Sequence, residues 1–175
     1  HRAGQKILIR FYFAGIGSAF LALLMYNIID VIVYIPCEAK TLAGAFLMHV
    51  LMVGPVEEMS KFLAFALLAH RRGSIRDPME GLLQAATVAL GFASIENFSY
   101  GMYYGLGLTV WRLIFSIIGH MSYAGLWGFI YTGLVFEEKT GSDVHRPLMQ
   151  LGAALFIGAF GHGMYNTFCE AGLPN

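Results

Sequence analysis

Long apolar runs broken by short polar clusters are the feature that most constrains this chain. A helix of about 20 apolar residues crosses a bilayer core of about 30 Å. Five stretches of this kind can be marked, at 7–35, 42–70, 79–104, 108–136 and 148–168. Several exceed about 25 residues and are expected to tilt or protrude. Only 13% of the 175 residues are charged, against about 25% in an ordinary soluble domain. That is too few to cover a water-facing surface, and the apolar content of 57% is too high for disorder. Lysine plus arginine equals aspartate plus glutamate at 11 each, so there is no basic excess to hold phosphates, and nucleic-acid binding is excluded. Two cysteines, Cys37 and Cys169, make neither a disulfide scaffold nor a four-thiolate zinc site. The fold class expected is all-α, a polytopic membrane bundle of about five spans in one domain, residues 1–175, with lipid as its solvent.

The connections support this division. Pro36–Lys40 joins the first two stretches and Arg71–Arg76 the next two. Asp77-Pro78 reads as an N-cap followed by proline at the first helical position. Gly105-Leu106-Gly107 joins the third and fourth, and Glu137–Pro147 the last two. Loops this short put neighbouring spans antiparallel. Gly54-Pro55 should kink the second span, because proline removes a backbone donor and clashes with the preceding turn. His1 is not an initiator residue, so the chain is expected to be trimmed. Arg2, Lys6, Arg10, Arg71, Arg72, Arg76, Lys139 and Arg146 fall on one side of a five-span arrangement, and only Lys40 and Arg112 on the other. The positive-inside rule then predicts a cytoplasmic N-terminus and a non-cytoplasmic C-terminus, in a membrane of the bacterial inner or plasma type.

Some polar groups cannot be explained by loops. Glu57, Glu58 and Lys61 lie inside the second span, Glu96 and Asn97 inside the third, His120 inside the fourth, and His162 and Asn166 inside the fifth. A charge at the bilayer centre costs about 2.5–3.5 kcal/mol on insertion scales. Asp30 and Arg112 sit near span ends and can reach the interface. Counting at about 1.5 Å per residue puts Glu57 and Glu58 about 20 Å from the cytoplasmic end, Glu96 about 28 Å, His120 about 25 Å and His162 about 24 Å. Four helices therefore bring acid and imidazole to similar depth, nearer the non-cytoplasmic face. Glu57 and Lys61 are i,i+4, and Glu58 and Lys61 are i,i+3, so Lys61 can serve either acid. His162 and Asn166 share a helix face. Gly54, Gly119, Gly161 and Gly163 flank these residues and should let helices approach closely. His49 has no partner at matched spacing and is read as a structural residue. Asn97 is read as an interhelical hydrogen-bonder, and Tyr100, Tyr103, Tyr104, Trp111 and Trp127 as interface anchors or packing.

Two imidazoles with carboxylates suit zinc with one position left for water. Such a metal lowers the pKa of water to about 7, and a nearby carboxylate can serve as general base. Without metal, a glutamate could activate water directly, with the histidines or Asn166 stabilising the oxyanion. No GxSxG or HExxH motif is present. Other classes use similar residues. A proton or ion path also runs through acids and histidines, though five spans without an inverted repeat argue against a secondary transporter. A haem carrier on His120 and His162 would leave the glutamates unexplained. A scaffold that has lost activity is the remaining reading.

The residues also resemble a known family. Glu57-Glu58-Met59-Ser60-Lys61 reads EExxK, Phe92-Ala93-Ser94-Ile95-Glu96-Asn97 reads FxxxEN, His120 follows in the next span, and His162-Gly163-Met164-Tyr165-Asn166 reads HxxxN. This ordered set resembles the PrsW family of intramembrane proteases, distant relatives of the CAAX prenyl endopeptidases and bacteriocin-processing enzymes. In those relatives a histidine stands at the position of Glu96, and an arginine falls one residue after that of Lys61. The resemblance covers about Leu42 to Asn166. It implies a membrane-embedded endopeptidase that cuts a membrane-anchored protein, as in site-1 cleavage of an anti-sigma factor. It implies that Glu57 or Glu58 activates water, while Glu96, His120 and His162 hold a metal or the water, with Glu58 also a candidate ligand. Lys61 and Asn166 complete the candidate catalytic set, and zinc is the metal that the donor types suit.

Overall fold

The computed structural model describes residues 2–32, 41–72, 77–138 and 145–171. Among these residues there are helices and no strands. Helix α1 spans Arg2–Ile32 and α2 spans Leu42–Met48. A π-helical turn, His49–Val53, leads directly into α3, Gly54–Arg72. Then come α4, Pro78–Tyr104, α5, Leu106–Glu138, and α6, His145–Ala171. The five apolar stretches are thus five helical rods, the second built from α2, the π turn and α3. The connections 36–40, 73–76 and 139–144, with Cys37, Lys40, Arg76 and Lys139, lie outside the described residues.

Three described segments are long and apolar enough to cross a membrane, Gly4–Val31, Leu42–His70 and Leu113–Val135. Helices α4 and α6 are 27 residues each but carry Glu80, Gln84, Glu96 and Asn97, and His162 and Asn166. The outside of the bundle is apolar. Phe13, Phe20, Leu24, Phe98, Met102 and Phe156 are all exposed, while the largest buried side chains include Lys61, His162 and Glu58. A bundle with hydrocarbon outside and ions within is arranged for lipid.

Local sequence explains the boundaries. Asp77 caps α4, its Oδ1 accepting from Met79 N at 2.6 Å and Glu80 N at 3.2 Å. The link between α4 and α5 is shorter than Gly105–Gly107. Gly105 alone forms it, with φ of 81°, a conformation open to glycine at little cost, and Gly107 already lies in α5. The break at Gly54-Pro55 takes the form of a π turn. Pro55 has no N–H and its ring crowds the carbonyl four residues earlier, and the wider turn relieves this, with Gly54 N–H donating to His49 O five residues back.

The helices close a ring, in which α1 packs on α4, α4 on α5, α5 on α6, α6 on α3 and α3 on α1. Helix α3 also touches α4 and α5, so it meets each of the other long helices. Glycines set the closest crossings. A side chain at Gly15 would run into Val88 of α4, and one at Gly91 into Tyr12 of α1. Gly81 and Gly128 bring α4 and α5 together, and Gly54 and Gly163 bring α6 against the π turn and the start of α3. Gly161 lies against the Tyr123 ring. Gly119 does not serve this role, since a side-chain carbon there would meet only ordinary contact at 3.6 Å.

Candidate active site

Because α3 is the central helix, its polar residues meet side chains from every neighbour. Glu57, Glu58, Ser60 and Lys61 are all buried. Lys61 Nζ donates to Glu58 Oε1 at 2.7 Å and stands 3.9 Å from Glu57 Oε2. Between the two acids open to it in sequence, the lysine serves Glu58. It also lies 2.6 Å from His120 Nδ1 and 4.2 Å from the centre of the Phe92 ring, a cation–π contact. An ammonium carries donors only, so His120 Nδ1 accepts. The other ring nitrogen, Nε2, then carries the proton and donates to Glu96 Oε2 at 2.7 Å.

Glu58 is fully engaged. Its Oε1 also receives His162 Nδ1 at 3.1 Å, and its Oε2 receives the indole N–H of Trp127 at 3.0 Å. The bond to Nδ1 puts the proton on that nitrogen and leaves the lone pair on His162 Nε2, the way carboxylates orient ligand histidines. His162 is further fixed by Tyr123, stacked at 6.1 Å, and by the edge of His120 at 4.6 Å. Glu57 is held by one oxygen only. Tyr26 of α1 donates to its Oε1 at 2.9 Å, while Oε2 is buried with no hydrogen-bond partner. His162 Nε2 is likewise buried without a partner, and the two atoms lie 3.5 Å apart.

Two buried lone-pair groups aimed at one another call for something between or beside them. Glu57, His120 and His162 offer ligand atoms all within 4.8 Å of one another. Charge points the same way. Glu57, Glu58 and Glu96 set three carboxylates against the one ammonium of Lys61, an excess of two negative charges when all are ionised, and buried charge demands compensation. The donor set, imidazole nitrogen and carboxylate oxygen, is suited to zinc, so the residues fit a divalent metal. Of the expected ligand set Glu58, Glu96, His120 and His162, the structure brings the two histidines into this group with Glu57 as the acid. Glu58 orients His162, and Glu96 reaches the group through His120.

Several residues behave differently from the sequence reading. Asn97 is buried, but neither side-chain polar atom forms a hydrogen bond. Asn166 lies beside the site with its Oδ1 buried and unpartnered. His49 does have a partner, Glu170 of α6, at 2.6 Å. Trp127 is fully buried and packs in the core, one of its two expected roles, but it also donates to Glu58 in the site. Tyr26 and Tyr123 also belong to the site, although tyrosines in apolar helices ordinarily pack or mark interfaces. A cavity of about 410 Å³ reaches this layer from one side, between α1, the π turn and α4, and its lining includes Tyr26, Asp30, Met52, Glu57, Glu96 and Asn166.

A family model described as PrsW family intramembrane metalloprotease matches residues 4–174. The chain belongs to this family. It is an integral membrane protein of helical-bundle type. Among curated relatives, a protein named Protease PrsW from Shouchella clausii is 33% identical over 124 residues, covering 71% of this chain and 53% of that protein. Protease PrsW of Geobacillus kaustophilus is 26% identical over 128 residues, covering 73% and 52%. Protease PrsW of Bacillus subtilis is 25% identical over 154 residues, covering 88% and 68%. The chain thus spans about half the length of the Shouchella and Geobacillus proteins. No solved structure matches it. The buried Glu57, His120 and His162 described above offer donor atoms that could hold a metal ion.

Proposed function

We propose that this chain carries the catalytic centre of an intramembrane endopeptidase that hydrolyses peptide bonds of a membrane-anchored protein. The observation that supports it most is the facing pair of unpartnered buried atoms, Glu57 Oε2 and His162 Nε2, with Glu57 in the lining of an open cavity. In this reading Glu57, His120 and His162 would hold zinc, and His120 would give up one of its present bonds to do so. Zinc, when bound, polarises a carbonyl and acidifies water.

The chain's own residues do the rest. Glu58 keeps the His162 lone pair on Nε2. Lys61 balances Glu58 and steadies His120, which Glu96 holds from the other side. Glu57 Oε2 would exchange the metal for the attacking water, taking its proton as the new C–O bond forms and returning it to the leaving amine as the C–N bond breaks. Asn166, at the cavity wall, donates its amide N–H to the oxyanion. The chain sits as a single domain of five spans with its N-terminus cytoplasmic, by the excess of basic residues on that side. The cavity lies toward the C-terminal end of α1, and so faces the non-cytoplasmic side. That position suits site-1 cleavage of an anti-sigma factor.

The test is cleavage of single-span substrates by purified protein in lipid nanodiscs, with metal content measured on each preparation. Wild type is expected to cleave, and Glu57→Ala, Glu58→Ala and His162→Ala to fall to background. Cleavage that survives all three changes contradicts the assignment.

A further inference from the structure

Glu57 is the acid on which the proposed reaction turns, and what holds it comes from a different helix. Tyr26 lies on α1, outside every motif that distinguishes the family in this sequence. Its hydroxyl stands 2.9 Å from Glu57 Oε1 and 3.4 Å from Val53 O. A phenol has one proton to donate, and the shorter, charge-assisted bond to the carboxylate takes it. The ring is packed against a cluster of Ala19, Ala22, Val56 and Phe92, which fixes the direction of the hydroxyl. The outer torsion of a glutamate is broad and roughly two-fold. Without an anchor, either oxygen of Glu57 could turn toward Lys61, 3.9 Å away, or toward His162.

We infer that Tyr26 is a positioning residue that pins Glu57 by one carboxylate oxygen, so that the other alone serves the metal and the reacting water. This rests on the proposed protease reading. It also adds a specific chemical consequence, that Glu57 binds through one oxygen. Tyr26 lines the cavity as well, so its hydroxyl stands at the boundary between the approach path and the acid. A second tyrosine on the same helix gives an internal control. Tyr12 donates to Ser94 Oγ at 3.1 Å, also bridging α1 to another helix, but its acceptor is neutral and outside the site.

The experiment compares Tyr26→Phe with Tyr12→Phe in the full chain in nanodiscs, with zinc as the probe. Zinc affinity is measured by chelator competition, carboxylate stretches by infrared difference on zinc addition, and kcat and KM by substrate cleavage. Tyr26→Phe is expected to weaken zinc by about 10–100-fold, the range for residues that orient metal ligands. It should lower kcat by a similar factor with KM nearly unchanged, and narrow the splitting between the two carboxylate stretches as Glu57 turns bidentate. Both variants should unfold at similar temperatures, and Tyr12→Phe should match wild type in zinc affinity and spectrum. Equal behaviour of the two variants in affinity, spectrum and kcat overturns the inference. Should wild type cleave without binding zinc, the metal reading fails separately. The kcat arm then decides, and an undiminished Tyr26→Phe overturns the positioning role.

Discussion

The site separates two unlike halves of the bundle. On one side Phe11, Phe65, Val88 and Trp127 form a buried cluster with Phe62 and Tyr131 packed against it, and their rings meet edge to face at about 5.5 Å. On the other side the buried cluster is Ala19, Ala22, Val56 and Phe92, and beside it lies the cavity of about 410 Å³. Large aromatics fill space to native density, whereas small residues beside an interrupted helix leave room. The difference assigns a direction to the chemistry. Trp127 belongs to the closed side and hydrogen-bonds the engaged acid, Glu58. Tyr26 belongs to the open side and bonds Glu57, the acid with an oxygen to spare. In the proposed reading one wall fixes the site and the other admits a substrate.

The largest effect is expected from filling the crossing that shapes the open side. A side-chain carbon at Gly163 would stand 2.5 Å from His49 O and 2.6 Å from Val50 Cα, so Gly163→Val is expected to displace the π turn. It should cost about 1–3 kcal/mol by overpacking and abolish cleavage. Gly152 on the same helix has nothing within 4 Å, and Gly152→Ala should leave activity intact and raise stability by up to about 1 kcal/mol. Thermal unfolding in detergent with a parallel cleavage assay checks both.

A smaller effect is expected on the closed side. Trp127→Phe keeps an aromatic but leaves Glu58 Oε2 without its donor. We expect about 1–3 kcal/mol of destabilisation from the lost bond, and a drop of about 10–100-fold in kcat/KM as His162 loses its firm anchor. An undiminished kcat/KM would show that the closed wall is packing alone.

The mildest perturbation probes access to the two sides and leaves the chemistry undisturbed. With Cys37 and Cys169 replaced by serine, a single cysteine at Met52, which lines the cavity, should react with a small polar thiol reagent. One at Phe65, fully buried in the closed cluster, should not. Equal protection of the two would mean that the cavity is no path.

Much of this was legible in the sequence because lipid makes polar residues conspicuous. Glu57, Glu58, Lys61, Glu96, His120 and His162 stand out against apolar neighbours, and helical rise alone places them at one depth. The Asp77-Pro78 cap is a local signal and is found as expected. Tyr26 and Trp127 stayed hidden because an aromatic in an apolar helix carries no contrast, and only the partner across the bundle reveals its polar end. The His49–Glu170 pair was hidden for another reason. Its members are 121 residues apart, and no spacing rule within one helix links them. The division of labour between Glu57 and Glu58 depends on which neighbours α3 meets on each face, which is a property of the packing. The break at Pro55 was visible, but its form depends on how the backbone accommodates the missing N–H.

Glu57, His120 and His162 are proposed to form one metal-binding centre at the boundary of the two halves. X-ray absorption at the zinc edge of the purified, zinc-loaded protein tests it most directly. Nitrogen and oxygen ligands are expected at about 2.0–2.1 Å, with outer-shell scattering from two imidazoles, reduced to one in His162→Ala. Sulfur ligation, or a zinc spectrum without imidazole that is unchanged by His162→Ala, would contradict it.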